Sequence, residues 1–357
     1  MREAPAQESK EHVSKATDRR MAVLVTGAGG ELAHGLIRAL QEREENLTIV
    51  GLDKRSLGGD TAEYCAETIV GDVRDLDLLE GLAEQYAFDR VFHLAAMLSS
   101  SAEHSPVLAY EVNVGGTMNL LRLAVSETTR TGEIPMVLFP STIAVYGLPT
   151  FEHKEAAGAI HEHEWLEPRT MYGCNKLAAE HLGRYFTHHH LQVEEGPSGT
   201  IDFRAIRFPG LISAETLPTG GTTDYGPEML HAAAQGEFYG CFVHEQTQLP
   251  FMTMPEAIEA LLTLGQAKRS ALTRTAYNVR SFAPRAIELH GAIREHFPAL
   301  QVAFEPHAGR QMIVDGWPGD VDDAAAQKDW GWAPQHSLDT ALAEYLVPSV
   351  TTRYADA

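Results

Sequence analysis

The stretch A-V-L-V-T-G-A-G-G-E-L-A, residues 22–33, decides how the rest of the chain is read. An apolar, β-branched run ends in T-G-A-G-G, and a helix-forming segment follows at once. Gly27, Gly30 and Ala33 take the three small-residue positions of a strand-to-helix turn. The first permits the tight turn, the second lets backbone approach a pyrophosphate, and the third lets the helix pack close to the strand. The amides that open the helix, at Glu31 and Leu32, are free donors for an anion. A glycine pattern alone is common; its place after the first strand and before a helix gives it weight. Gly27, Gly30, Glu31 and Leu32 are therefore expected against a dinucleotide.

Outward from this turn, short β-branched runs alternate with helical stretches. Strands are expected at 22–27, 47–53, 67–73, 90–96, 136–142 and 201–208, with helices at 32–42, 107–126 and 171–187. Such alternation implies a parallel sheet covered on both faces, an α/β, Rossmann-type doubly wound fold. The back third mixes helices at 255–264, 284–295 and 338–345 with short strands at 275–279 and 301–305, which reads as a smaller C-terminal substrate lobe. The expected division is a mobile tail at 1–20, a cofactor-binding domain at 21–207 to which 246–280 returns, a substrate lobe from 208–245 and 281–348, and a tail at 349–357. Residues 151–167 and 188–199, rich in histidine, read as loops. No carboxylate or cysteine pattern gives those histidines a coordination geometry, so no metal site is expected.

The formal charge of -21 opposes nucleic acid and anionic membrane as partners, since both need a basic face. No apolar run reaches the roughly 18 residues of a membrane span. The first twenty residues lack the apolar core of a secretory signal. Three cysteines form neither a metal spacing nor a disulfide framework, in keeping with a reducing, cytoplasmic setting.

The second strand ends in Asp53, where an acid would hold the ribose hydroxyls of NAD and repel a 2'-phosphate. Lys54 and Arg55 beside it would suit NADP; the acid favours NAD. The third strand ends G-D-V, which puts Asp72 and Val73 at the adenine, although an acid there can equally form a turn. The fourth ends H-L-A-A-M, and Leu94, Ala95 and Ala96 leave room for the diphosphate and ribose, or simply pack closely. In M-Y-G-C-N-K, Tyr172 and Lys176 lie one helical turn apart on one face. A tyrosine with a pKa near 10 is a poor base at neutral pH. A neighbouring ammonium and a cationic nicotinamide would favour its phenolate, and Tyr172 could then take an alcohol proton while Lys176 holds the nicotinamide ribose.

With these features the chain resembles the short-chain dehydrogenase/reductase superfamily in its extended, epimerase-like form. The resemblance implies that Thr142, four residues before Tyr146 of V-Y-G, hydrogen-bonds the reacting oxygen, with Ser141 as helper or packing residue. It also matches Asn113 of N-V-G-G-T to a structural asparagine, which either meets the cofactor or bonds backbone. R-F-P-G-L-I-S, G-G-T-T-D-Y, L-P-F-M, Y-N-V, D-G-W-P-G-D-V-D-D and D-W-G-W narrow the likeness to the short-chain L-threonine 3-dehydrogenases, over residues 21–345. That family's reaction is L-threonine plus NAD to 2-amino-3-oxobutyrate plus NADH. The resemblance implies substrate contacts at Ser99, Thr142, Tyr172, Gly221, Thr222 and Trp317, the alternatives being a loop serine at Ser99, a turn threonine at Thr222 and, with most weight, a core tryptophan at Trp317. It also implies a homodimer formed by helices 107–126 and 171–187. Asp224 is expected to fix the substrate loop. Departures are Ala33 and Thr219 where the family has glycine, and Phe251 and Thr253, which leave room for another β-hydroxy amino acid. A nucleotide-sugar epimerase or dehydratase is the competing reading, ahead of a non-catalytic NAD-binding protein.

Overall fold

The computed structural model describes residues 19–194, 198–218 and 221–355. Seven strands form the main sheet: β1 (Arg20–Thr26), β2 (Ile49–Asp53), β3 (Glu67–Val70), β4 (Tyr86–His93), β5 (Met136–Thr142), β6 (Asp202–Phe208) and β7 (Ala276–Asn278). Their spatial order is β7-β6-β5-β4-β1-β2-β3. β1 runs parallel to β2 and β4, β2 to β3, β4 to β5 and β6 to β7. β2 and β6 are buried along their whole length, as strands covered on both faces must be. Register places Thr26 beside Leu52 on one flank and His93 on the other, so the carboxyl ends of β1, β2 and β4 align.

The chain folds as two compact units. One comprises Met1–Ala95, Gly115–Leu138 and Gly183–Phe203; the other comprises Ala96–Val114, Phe139–Leu182 and Arg204–Ala357. This division assigns 96–114 and 139–182 differently from the expected boundary at residue 207. In the first unit, α1 (Glu31–Arg43) buries Ala33, Leu36, Ile37 and Leu40, a single stripe at 3.6-residue spacing. α2 (Leu76–Gln85) is capped by Asp75, whose side chain accepts the Leu78 amide. α3 (Gly116–Thr131) ends at Gly132 in the left-handed region. The second unit holds the start of α4 (Met171–His188), with α5 (Tyr225–Gln235), α6 (Met254–Gln266) and three short parallel strand pairs. Its core packs Tyr146, Tyr225, Phe251 and Trp317.

Several expectations are corrected. The helix expected at 107–126 is a short helix at Pro106–Tyr110, a π-helical turn at Glu111–Gly115, and then α3. Within the loop expected at 151–167, Phe151–Ala157 is helical because Thr150 caps it and Lys154 anchors it in the interior. Arg19 and Arg20, grouped with the tail, belong to the fold: Arg20 opens β1 and Arg19 donates to Glu127 at 2.8 Å. The terminal segment is the helix Val347–Tyr354, with Val350 buried and the Tyr354 hydroxyl 2.9 Å from His231 Nδ1. Most of the tail at 1–20, residues 195–197 of the second histidine-rich segment, and Thr219 and Gly220 of the substrate loop lie outside the described residues.

Candidate active site

In the first unit the glycine turn is built for close approach. Gly27 has φ of 69°, and a Cβ there would lie 2.6 Å from the Ala95 nitrogen. Only glycine meets both demands cheaply. The Gly30 amide donates to Gly27 O at 3.0 Å, closing the turn. Gly30 caps α1 without a side chain, which leaves the amides at Glu31 and Leu32 free of a side-chain cap. Glu31 Oε1 is buried and has no hydrogen-bond partner. Asp53 accepts the Gly29 amide at 3.0 Å through Oδ2 and the Arg55 amide at 3.0 Å through Oδ1. His93 stands buried between Thr26 Oγ1 at 2.8 Å and Thr117 Oγ1 at 3.0 Å and fixes the end of β4. Leu94 donates its amide to Thr26 O at 3.1 Å, and Ala95 donates to Thr26 Oγ1 at 3.4 Å.

Asp72 is paired with Arg74. Arg74 takes its carboxylate with its backbone amide, Nε and Nη2, and these hydrogen bonds hold the carboxyl below the usual range. These bonds are the ones a turn-forming acid makes, the second of its two expected roles. Val73 is buried, and a Cβ on Gly116 would meet its Cγ2 at 2.6 Å.

In the second unit Asn113 makes the backbone bonds of one of its two expected roles. Its Nδ2 donates to Met97 O at 3.0 Å, and its Oδ1 accepts the Met97 amide at 2.7 Å. It bonds backbone, and so fixes the chain just after Ala96. Thr142 ends β5; its Oγ1 accepts the Ala144 amide at 3.1 Å and caps the short turn Ile143–Val145. α4 begins against this turn, and a Cβ on Gly173 would lie 2.0 Å from Ala144 O. The glycine that follows Tyr172 therefore lets the helix sit directly on the segment that follows Thr142. One turn on, Lys176 is buried, with Nζ donating to Pro140 O at 2.6 Å and lying 4.2 Å from the Phe139 ring centre and 5.6 Å from that of Tyr172. Burial pushes the Lys176 ammonium down to about 7, while the Glu180 carboxylate pulls it upward. Burial raises the Tyr172 phenol.

Ser141 does not simply pack. Its hydroxyl donates to Glu180 Oε1 at 2.5 Å. Glu180 in turn is held by Arg207 through Nε to Oε1 at 2.9 Å and Nη2 to Oε2 at 2.6 Å. Sequence reasoning missed this pair. The available signals were the acid one turn beyond Lys176 and the arginine inside an otherwise apolar strand.

Among the residues expected to meet substrate, Thr222 Oγ1 lies 3.4 Å from Ser99 Oγ. The Gly221 amide donates to Asp224 Oδ2 at 2.6 Å, so Asp224 braces the loop from within. Trp317 is buried and its Nε1–H has no partner. Thr253 is not open to a ligand: it is buried, accepts the Glu256 amide, and completes the capping box of α6. Phe251 is fully buried and packs edge-on against Tyr225.

The glycine turn after β1 and the Tyr172–Lys176 pair on α4, each within its own unit, are features of an NAD-dependent oxidoreductase. The family model for the NAD dependent epimerase/dehydratase family matches residues 23–279, and the chain belongs to that family. The chain is 32% identical over 317 residues to an uncharacterised epimerase/dehydratase of Staphylococcus haemolyticus, covering 88% of this chain and 93% of the relative. It is 31% identical over 319 residues to the mitochondrial L-threonine 3-dehydrogenase of Bos taurus, covering 89% and 79%. In structure it resembles the holo form of a GalE-like L-threonine dehydrogenase from Cupriavidus necator, with a TM-score of 0.80, 33% identity, and 92% and 99% of the two chains covered. Among the described residues no helix is long and apolar enough to cross a membrane.

NAD is the cofactor of this family, and the residues present fit it: the Gly27 cradle would be filled by any Cβ, the amides opening α1 have no side-chain cap, and Asp53 is an acid.

Proposed function

We propose that this chain oxidises the 3-hydroxyl of L-threonine to 2-amino-3-oxobutyrate, with Tyr172 as general base. The observation that carries the reading is the Tyr172–Lys176 pair on α4, seated through Gly173 on the turn that follows Thr142. Bound NAD supplies the hydride acceptor and a positive charge that favours a phenolate. Thr142 orients the substrate hydroxyl, Tyr172 takes its proton, and the Lys176 ammonium supports the phenolate. The carbon loses a hydride and the oxygen a proton, which leaves the ketone.

Thr222 and Ser99 offer paired hydroxyls for the polar end of a small zwitterion, and Trp317 offers an unpaired buried N–H. Asp53, Gly27, Gly30, Glu31 and Leu32 hold the cofactor. The relatives named for L-threonine oxidation support this choice of substrate. We further infer a homodimer, supported by the exposed apolar side chains of Val107, Leu108 and Tyr110; light scattering that returns a monomer mass would remove this point.

The test is NADH release from L-threonine, L-allo-threonine, L-serine, D-threonine and UDP-glucose. L-threonine is expected to give the highest kcat/KM. Turnover of the sugar nucleotide alone would overturn the reading.

A further inference from the structure

Behind the Tyr172–Lys176 pair lies a buried polar network that the chemistry above does not use. Ser141, Glu180 and Arg207 are each at most 5% exposed. Arg207, on β6, spends its guanidinium on the two oxygens of Glu180, on the Tyr146 hydroxyl at 2.8 Å and on Glu162 O at 2.6 Å. The Tyr146 hydroxyl in turn donates to Asn278 Oδ1 at 2.6 Å. A buried ion pair of this kind is weak evidence for stability, because desolvation offsets most of the attraction. Its position suggests another use. Glu180 is one helical turn beyond Lys176, as Lys176 is one turn beyond Tyr172, and its other partner is Ser141, the neighbour of Thr142.

We propose that Glu180, clamped by Arg207, is a positioning residue: it fixes the end of β5 through Ser141 and extends to higher pH the range in which Lys176 stays an ammonium beside Tyr172. The proposal rests on Tyr172 being the base. The charged and titratable groups around Lys176 are Glu180 and Tyr172 on its own helix and, through Glu180, Arg207 on β6. β5 presents the Phe139 ring and the Pro140 carbonyl. Burial in this setting drives Lys176 toward neutrality, and the Glu180 charge opposes that; burial also raises the Tyr172 phenol. Loss of the Glu180 charge therefore lowers the pH at which Lys176 gives up its proton, and without that cation the phenol stays protonated to higher pH.

The test uses the full chain with uniformly 13C-labelled lysine. The chain has seven lysines, and Lys176→Arg identifies the resonance of interest. In Glu180→Gln the Lys176 midpoint is expected to fall by about one pH unit or more. The acid limb of kcat should move to higher pH, with KM for NAD unchanged. Because Glu180→Gln strands a buried cation, the double variant Glu180→Gln/Arg207→Met is measured beside it. There the melting temperature should recover, and the Lys176 midpoint should remain below wild type. Ser141→Ala should lower kcat without moving that midpoint. Midpoints equal to wild type in both Glu180 variants, with kcat falling only as stability falls, would overturn the proposal. If wild type releases no NADH from any amino acid, the functional reading fails, and the lysine titration still decides this one.

Discussion

The carboxylate of Asp53 accepts the amide of Gly29 at 3.0 Å, so the acid that ends β2 also braces the glycine turn that follows β1. Asp53 thus carries two duties. Asp53→Ala should lose about 1–3 kcal/mol of stability from the orphaned amides and weaken NAD binding by about 10-fold or more. Calorimetric titration with NAD and NADP checks this. NAD affinity equal to wild type would show that Asp53 only braces the turn.

Gly27 combines a left-handed backbone with the Ala95 nitrogen 2.6 Å from where a Cβ would stand. Gly27→Ala should cost roughly 1–3 kcal/mol in backbone strain alone, with the collision in addition, and should abolish NAD binding. A variant that melts like wild type and binds NAD would contradict the cradle.

Tyr172→Phe keeps the ring and removes the hydroxyl. Its kcat should fall by about 100- to 10,000-fold, while NAD still quenches tryptophan fluorescence with unchanged affinity. Retained turnover would move the base elsewhere.

The Ser99–Thr222 pair should govern the amino acid and not the cofactor. Thr222→Val is expected to raise KM for L-threonine by about 10-fold, in line with the loss of one or two net hydrogen bonds, and to leave KM for NAD alone. A rise in KM for NAD with none for threonine would exclude this assignment.

Lys154 is 2% exposed, and its ammonium donates to Val314 O at 2.9 Å. Burial pushes its pKa from 10.5 down to about 8. Between those two values the unfolded chain holds the proton and the folded chain does not, so stability rises with pH across that window. Below the lower value both states are charged and the full penalty, on the order of 3 kcal/mol, is present. Urea unfolding between pH 7.5 and 10 should show this slope in wild type, reduced in Lys154→Met by the share that Lys154 supplies. Equal slopes would show that Lys154 is not the source.

What was legible in the sequence were the features carried by local spacing. The turn at Gly27–Ala33, the strand that ends in Asp53 and the pair Tyr172–Lys176 are written within a few residues of one another. What escaped was made by residues far apart. Ser141, Glu180, Arg207, Tyr146 and Asn278 meet only after β5, α4, β6 and β7 are assembled. Asp72 was ambiguous because its fate depends on the rotamer of Arg74, two residues on, which composition does not disclose. β4 begins at Tyr86, earlier than expected, because Tyr86, Ala87 and Phe88 are buried while charged Asp89 and Arg90 interrupt the apolar run from within. Phe151–Ala157 has the polar look of a loop, yet the Thr150 cap and the buried stem of Lys154 make it a helix.

The π-helical turn at Glu111–Gly115 fits one more residue into a helical turn than an α-helix would hold. Through it, Asn113 pairs with both the N–H and the C=O of Met97, as a neighbouring strand would do. Deleting one residue here would restore an ordinary turn and swing the side chains on one side of it by roughly 100°. Asn113 would then release Met97, and the segment from Ala96 to Ser99 would lose its anchor. At this helix a single codon loss would therefore unhook the segment that leads from β4 to Ser99.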